Sequence, residues 1–185
     1  MQYRATVTGL PVGGQLSYFT SWTDAKGNAS VSSAVAQTNV TRRDDFDWRP
    51  RLVFFGDLGW TDDQVLPYLR EEAQAGVVDA IVIFGDMVYW DNGEYENSFM
   101  RDISAMSAAR VPVMVTPGNG DAAGNMSRYR KQWAMPGWDT ADTASGYHSF
   151  DIGRAHVVGI NTEALDYWSD ITPTKERMLA WLADD

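Results

Sequence analysis

An α/β fold built on a mainly parallel sheet, preceded by a few β-strands of another kind, is what this sequence predicts. Three observations carry that prediction. Near-continuous apolar runs, RLVFFGD at 51–57, DAIVIFGD at 79–86 and VPVMVTPGN at 111–119, read as strands buried on both faces. Segments with helical patterning separate them at spacings of about thirty residues, as βαβ units require. The residues before 42 have a different texture, rich in β-branched and aromatic side chains.

Taken in order, YRATVTGL at 3–10, QLSYFTSWTD at 15–24 and ASVSSAVAQT at 29–38 read as a hairpin followed by a third strand, punctuated by GLPVGG and DAKGN. About forty residues bury too little surface to stand alone. Residues 1–42 are therefore expected to be the end of a β-sandwich whose beginning is absent, packed on the α/β part. Residues 43–50, charged and closed by Pro50, read as a linker, and 51–185 as the α/β part itself. Between the first two buried strands, TDDQVLPYLREEAQAG at 61–76 offers Thr61 as N-cap and Gly76 as stop, with Pro67 predicting a kink or a late start. A second helix is expected over 96–110. YHSFDIG and RAHVVGINTE, around Gly153-Arg154, read as antiparallel strands, and TPTKERMLAWLADD at 172–185 as an amphipathic helix that runs into the C-terminus. With no cap or polar tail after it, the chain is expected to be cut in mid-fold, truncated at both ends.

Bulk composition narrows the function. A hydrophobic fraction of 44% supports a packed core rather than disorder. The net charge of -10 speaks against nucleic acid and against an anionic membrane as partners. An acidic protein can still hold a phosphate ester where metal ions supply the positive charge. The absence of cysteine removes disulfides, thiolate catalysis and Cys-based zinc sites. No stretch has the character of a signal peptide or a membrane span. Sequons at Asn28, Asn39 and Asn125 would be glycosylated in a secreted protein.

The chemistry sits where the buried strands end. Each run closes on Gly followed by an oxygen donor: Gly56-Asp57, Gly85-Asp86 and Gly118-Asn119. The carboxyl ends of strands in such sheets line the ligand crevice, so these side chains converge. Two carboxylates and an amide gathered there repel unless a cation lies between them, and hard oxygen donors suit divalent or trivalent ions. One Gly-Asp alone is ordinarily a tight turn; three in register at strand ends are not. Tyr89, three residues after Asp86, is placed to reach the same ion, and a phenolate favours a trivalent metal such as iron.

GDLG at 56–59, GDMVY at 85–89 and GNGD at 118–121 resemble the pattern of the purple acid phosphatases, a branch of the calcineurin-like metallophosphoesterases. The resemblance continues through NMSRYRKQWAMPG at 125–137 and YHSFDIGRAHVVGINTE at 147–163. It implies that 51–185 are the first half of a calcineurin-like αββα sandwich, and that 1–42 end a fibronectin-III-like β-sandwich. It also implies hydrolysis of phosphate monoesters at a binuclear centre, in a secreted or lysosomal-type acid phosphatase. Asp57 and Tyr89 would bind Fe(III), Asp86 would bridge to a second divalent metal (Zn, Fe or Mn), and Asn119 would bind that second metal.

Two departures qualify this. Gly120 stands where the family has the histidine that contacts the phosphate, and Asp121 matches the acidic position after it. The family's metal-binding histidines follow the last helix seen here. His148 and His156 fit no such motif, and strand alternation predicts both as packed sheet residues. No catalytic side chain is therefore assigned, and activity of the isolated chain is expected to be weak or absent. The alternative is a non-catalytic pseudoenzyme or interaction fragment of the same fold, whose open sheet edge offers a route to self-association. A nucleotide-binding reading fares worse, because GNGDAAG at 118–124 spaces its glycines as GxGxxxG and no P-loop lysine occurs.

Overall fold

The parallel sheet predicted between residues 51 and 119 forms, and its pairing explains where the site lies. The computed structural model describes residues 7–11, 15–19, 21–31, 36–39, 47–58, 65–87, 99–104, 111–136, 146–165 and 172–185. Strands β5 (Leu52–Phe55), β6 (Ala80–Phe84) and β7 (Val113–Thr116) lie side by side in that order, all parallel. Leu52 pairs with Ala80 and Ile81 with Val113, so the three strands finish level with one another. Ile81, Ile83 and Val115 are completely buried, as near-continuous apolar runs require.

Helix α1 (Val65–Gln74) connects the first two strands and buries Leu66, Leu69 and Ala73 against the sheet. Pro67 is the third of its described residues, and the start of the helix falls outside them. Thr61 lies outside the described residues. At the other end Gly76 adopts φ +69°, Val77 N–H donates to the Glu72 carbonyl and Gly76 N–H to that of Ala73. This is the double bond of a glycine-terminated helix. The Arg51 guanidinium also donates to the Gly76 carbonyl at 2.9 Å, tying the helix end to the start of β5. Residues 99–104 of the expected second helix are helical, with Phe99 and Ile103 in the core.

The amino-terminal strands differ from expectation in their partners. β1 (Gln15–Tyr18) pairs with β4 (Ala36–Asn39), and β2 (Ser21–Thr23) with β3 (Ala29–Val31), all antiparallel. The hairpin therefore joins the second and third predicted segments, around a turn closed by Asp24 accepting from Lys26 and Asn28 N–H. Residues 7–10 of the first segment are not strand, and its residues 3–6 lie outside the described residues.

Helix α2 (Asn119–Gln132) was not foreseen. Its sequence is polar, and Gly120 and Gly124 lower its propensity. Asp121 compensates at the start: its Oδ2 accepts from Gly118 N–H at 3.0 Å, satisfying one of the donors a helix leaves open. Arg130 and Lys131 suit the last turn. Tyr129 fixes the helix to β7 by donating its hydroxyl to the Val115 carbonyl at 2.8 Å.

The hairpin of β8 (His148–Ile152) and β9 (Ala155–Gly159) turns at Gly153-Arg154, as expected, with Gly153 at φ +59°. A short 3₁₀ turn (Thr162–Leu165) leads toward helix α3 (Thr172–Asp184), which buries Met178 and sets Trp181 against Tyr147 at 4.9 Å. The reading of His148 holds: it is 2% exposed and stacked on Phe150. That of His156 does not. The two-residue turn pairs His156 with Asp151, on the face opposite His148, Phe150 and Ile152, and its side chain is 46% exposed. Val158 and Ile160, which made its row look apolar, are themselves exposed.

What positions the site is the way the three strand ends interlock. A Cβ on Gly85 would run into the Gly118 backbone nitrogen, and one on Gly118 into the Asp86 carboxylate. A Cβ on Gly56 would sit 2.9 Å from the Phe84 carbonyl. Each glycine is therefore needed for the neighbouring strand end to approach. Asp121 then holds two of those ends together, since its Oδ2 accepts from Asp86 N–H at 2.7 Å as well as from Gly118.

These contacts have measurable consequences. Replacing Asp121 by Ala orphans two partly buried N–H donors and is expected to lower unfolding free energy by about 2–4 kcal/mol in urea titration, while Asp121→Asn, which keeps an acceptor oxygen, costs far less. Burial without a partner for Nδ1 pushes His148 down to about 4, below its ordinary 6.5. The unfolded chain therefore binds the extra proton between those values, so stability present above pH 6.5 is lost as pH falls toward 4. That loss is about 3 kcal/mol by linkage, and a His148→Leu variant should show a flatter urea midpoint across that window.

Candidate metal centre

Asp57 and Asp86 each follow a buried strand directly, and both sit at positive φ, 61° and 50°. Non-glycine residues in this region are uncommon, and such strain persists only where the surroundings impose it, typically at functional sites. Here the imposing contacts are visible. Asp57 N–H donates to the Gly85 carbonyl at 3.1 Å, and Asp86 N–H is held by Asp121. Asp86 Oδ1 in turn accepts from Gly120 N–H at 2.7 Å. The Asp86 carboxylate is thus held in place, while Asp57 is fixed through its backbone and keeps an exposed side chain.

Asn119 is exposed at the first turn of α2. With Gly56, Asp57, Asp86 and Gly118 it lines a cleft of about 500 Å³ at the carboxyl ends of the strands. That is the place where an open α/β sheet presents its ligand crevice. The structure therefore brings Asp57, Asp86 and Asn119 to one cleft. Tyr89 lies outside the described residues.

Two features of the cleft were not read from the sequence. Thr162 and Glu163 line it, delivered by the end of β9. Buried Asn161 sets their turn, its Oδ1 accepting from Glu163 N–H at 3.1 Å while its amide donates to Met126 Sδ. Phe84, Val158 and Ile160 give the cleft one apolar wall. Asp121 lies behind Asp86, where burial, opposed by its backbone hydrogen bonds, pushes its carboxyl up to about 6. The acid at Asp121 is the one feature a sequence pattern carried, as the acidic position after Asn119-Gly120.

The donor set fits a hard cation in kind: two carboxylates and an amide oxygen. It supplies only part of a coordination sphere. Among the described residues, no three acidic or histidine side chains stand close enough to hold an ion by themselves. Gly120 offers the cleft no side chain; its N–H serves Asp86.

Residues 50–184 match the calcineurin-like phosphoesterase family. The chain is 36% identical over 141 residues to acid phosphatase type 7 of Mus musculus, covering 75% of this chain and 31% of that protein. It is 30% identical over 113 residues to purple acid phosphatase 21 of Arabidopsis thaliana, covering 56% of this chain and 25% of that one. Among solved structures, a purple acid phosphatase from yellow lupin seeds superposes with a TM-score of 0.64 over 92% of this chain and 34% of its own, at 17% identity. The chain thus spans about a third of the length of such relatives. With its parallel sheet, its strand-end carboxylates and a match over most of its length, the chain belongs to the calcineurin-like phosphoesterase family.

Proposed function

We propose that this chain carries the first half of a binuclear metal centre for the hydrolysis of phosphate monoesters. The observation that carries the reading is the meeting of Asp57, Asp86 and Asn119 in one cleft, with both aspartates held at positive φ. Asp57 and Tyr89 would hold Fe(III), Asp86 would bridge, and Asn119 would hold a divalent ion such as Zn, Fe or Mn. When bound, such ions neutralise phosphate charge and lower the pKa of water.

The chain's own residues prepare that arrangement. Asp121 and Gly120 orient Asp86 through the backbone and through Oδ1. The amino end of α2 directs its positive dipole toward the same carboxylates and toward a bound anion. Gly120 cannot pass a proton to a leaving group, so turnover by this chain would be low. The names of the acid phosphatase relatives support the substrate class, and with it a secreted or lysosomal-type setting. In the same reading residues 1–42 end a fibronectin-III-like domain, 43–50 link it, and 51–185 begin the phosphoesterase domain.

A second reading has its own observation. Phe54 and Phe84 stack at 5.7 Å, 47% and 58% exposed, and Phe84 continues along the cleft wall to exposed Val158 and Ile160. An apolar row of this kind suits an interaction fragment that binds a second copy or a partner through this face.

Expression with iron and zinc separates the two. The metal-centre reading expects bound iron by elemental analysis and a visible absorption band, the band lost in Tyr89→Phe and the metal lost in Asp86→Ala. A well-folded, metal-free protein would overturn it. Concentration-dependent association by light scattering, reversed by Phe84→Asp, would favour the interaction fragment.

A further inference from the structure

The contact left unused by that reading lies on the open face of the β8–β9 hairpin. His156 Nδ1 stands 2.7 Å from Asp151 Oδ1, its cross-strand partner, and Nε2 stands 2.8 Å from Asp185 Oδ2, just past the end of α3. Ser149 donates its hydroxyl to the other oxygen of Asp185 at 2.6 Å. Ionised carboxylates only accept hydrogen bonds, and a neutral imidazole has one N–H. Both contacts can therefore be hydrogen bonds only when the ring carries two protons. With one proton, a nitrogen lone pair faces a carboxylate oxygen, and that side is repulsive.

We propose that Asp151, His156 and Asp185 form a proton-controlled latch that fastens the end of α3 to the β8–β9 hairpin. The latch is closed while the imidazole is doubly protonated and opens when it loses a proton. The groups that act on the ring are Asp151 from β8 and Asp185 from the end of α3, and both favour its charged form. They raise His156 above its ordinary value, first through the Asp151 hydrogen bond and then through that of Asp185. Asp185 is lowered in turn, chiefly by Ser149 and then by His156. The sign is fixed by these directions. His156 holds the latch fully below pH 6.5 and releases it as pH rises through its raised value. Asp185 releases it at the acid extreme, as pH falls through its lowered value.

Two features confine the latch to the last turn of α3. Met178 is buried, and Trp181 rests on Tyr147, so the body of the helix is held by packing that no proton alters. Beyond Trp181 the side chains of Leu182, Ala183 and Asp184 are exposed, so the carboxylate clasp adds a side-chain hold to the backbone bond from Asp185 N–H to the Trp181 carbonyl. The latch also acts on a strand that reaches the candidate metal cleft, since Val158 and Gly159 of β9 line it.

The test needs neither metal nor turnover. Imidazole nitrogen shifts of the full chain, followed by NMR from pH 4 to 9, should show His156 keeping both ring protons well above pH 6.5. Amide exchange, corrected for intrinsic rates, should show protection at 182–185 falling about threefold as His156 deprotonates, while protection at Met178 does not change. That size is set by the exposure of the pair, and 1 M salt should shrink it. His156→Gln and Asp185→Asn should each hold protection at 182–185 at the lower, unlatched level at every pH. The proposal is overturned if His156 titrates at or below its ordinary value. It is equally overturned if His156 titrates high but protection at 182–185 is independent of pH.

Discussion

One carboxylate holds the site region together. Asp121 sits at the third position of α2 and accepts two backbone N–H groups that belong to different strand ends, Asp86 after β6 and Gly118 after β7. Without it, the helix would lose its first-turn acceptor and the two loops would lose their common anchor. The same link forces Asp86 into positive φ, and Asp86 closes the loop by accepting from Gly120 N–H. The result is a closed circuit of three short bonds joining two loops and a helix start. A helix as polar and glycine-containing as α2 has little reason to begin at Asn119 other than this circuit.

Electrostatics make that circuit conditional. Asp121 is buried beside Asp86, and its carboxyl is driven up to about 6 by desolvation, with the Asp86 charge adding to it. A cation at Asp86 would reverse the second contribution, because a nearby positive charge favours ionised carboxylates. In the metal-centre reading, an ion in the cleft would also favour the ionised Asp121 that shapes it. The interlocked glycines make the geometry intolerant of compensation, since any side chain at Gly85 or Gly118 would meet backbone or the Asp86 carboxylate itself.

Much of this was legible in sequence because buried parallel strands leave a strong, local imprint. The runs ending at Asp57, Asp86 and Asn119 are short, apolar and punctuated by glycine, so element type, order and the common end of the strands could all be read. What escaped depends on long-range contacts. Helix α2 owes its start to Asp121 reaching back to Gly118 and across to Asp86, 35 residues away in the chain, and propensity argues against it. Glu163 and Thr162 enter the cleft because β9 ends beside it, which no local pattern states. His156 was assigned to a packed face from its apolar neighbours. The turn register decided otherwise, and with it whether those neighbours were buried at all.

The two histidines of this hairpin pull in opposite directions, and the difference is wholly one of surroundings. His148 is buried with Nδ1 unpartnered, so its environment offers the proton nothing and the ring stays neutral. His156, eight residues on and across the sheet, is exposed between two carboxylates, so its environment favours the proton. Acidification therefore strains the packed face of the hairpin while it fastens the open face to α3. Each histidine sets one limit of a pH window: His148 the acid limit for packing, His156 the alkaline limit for docking. A hairpin whose strand β9 lines the candidate cleft is in this way best ordered at mildly acidic to neutral pH.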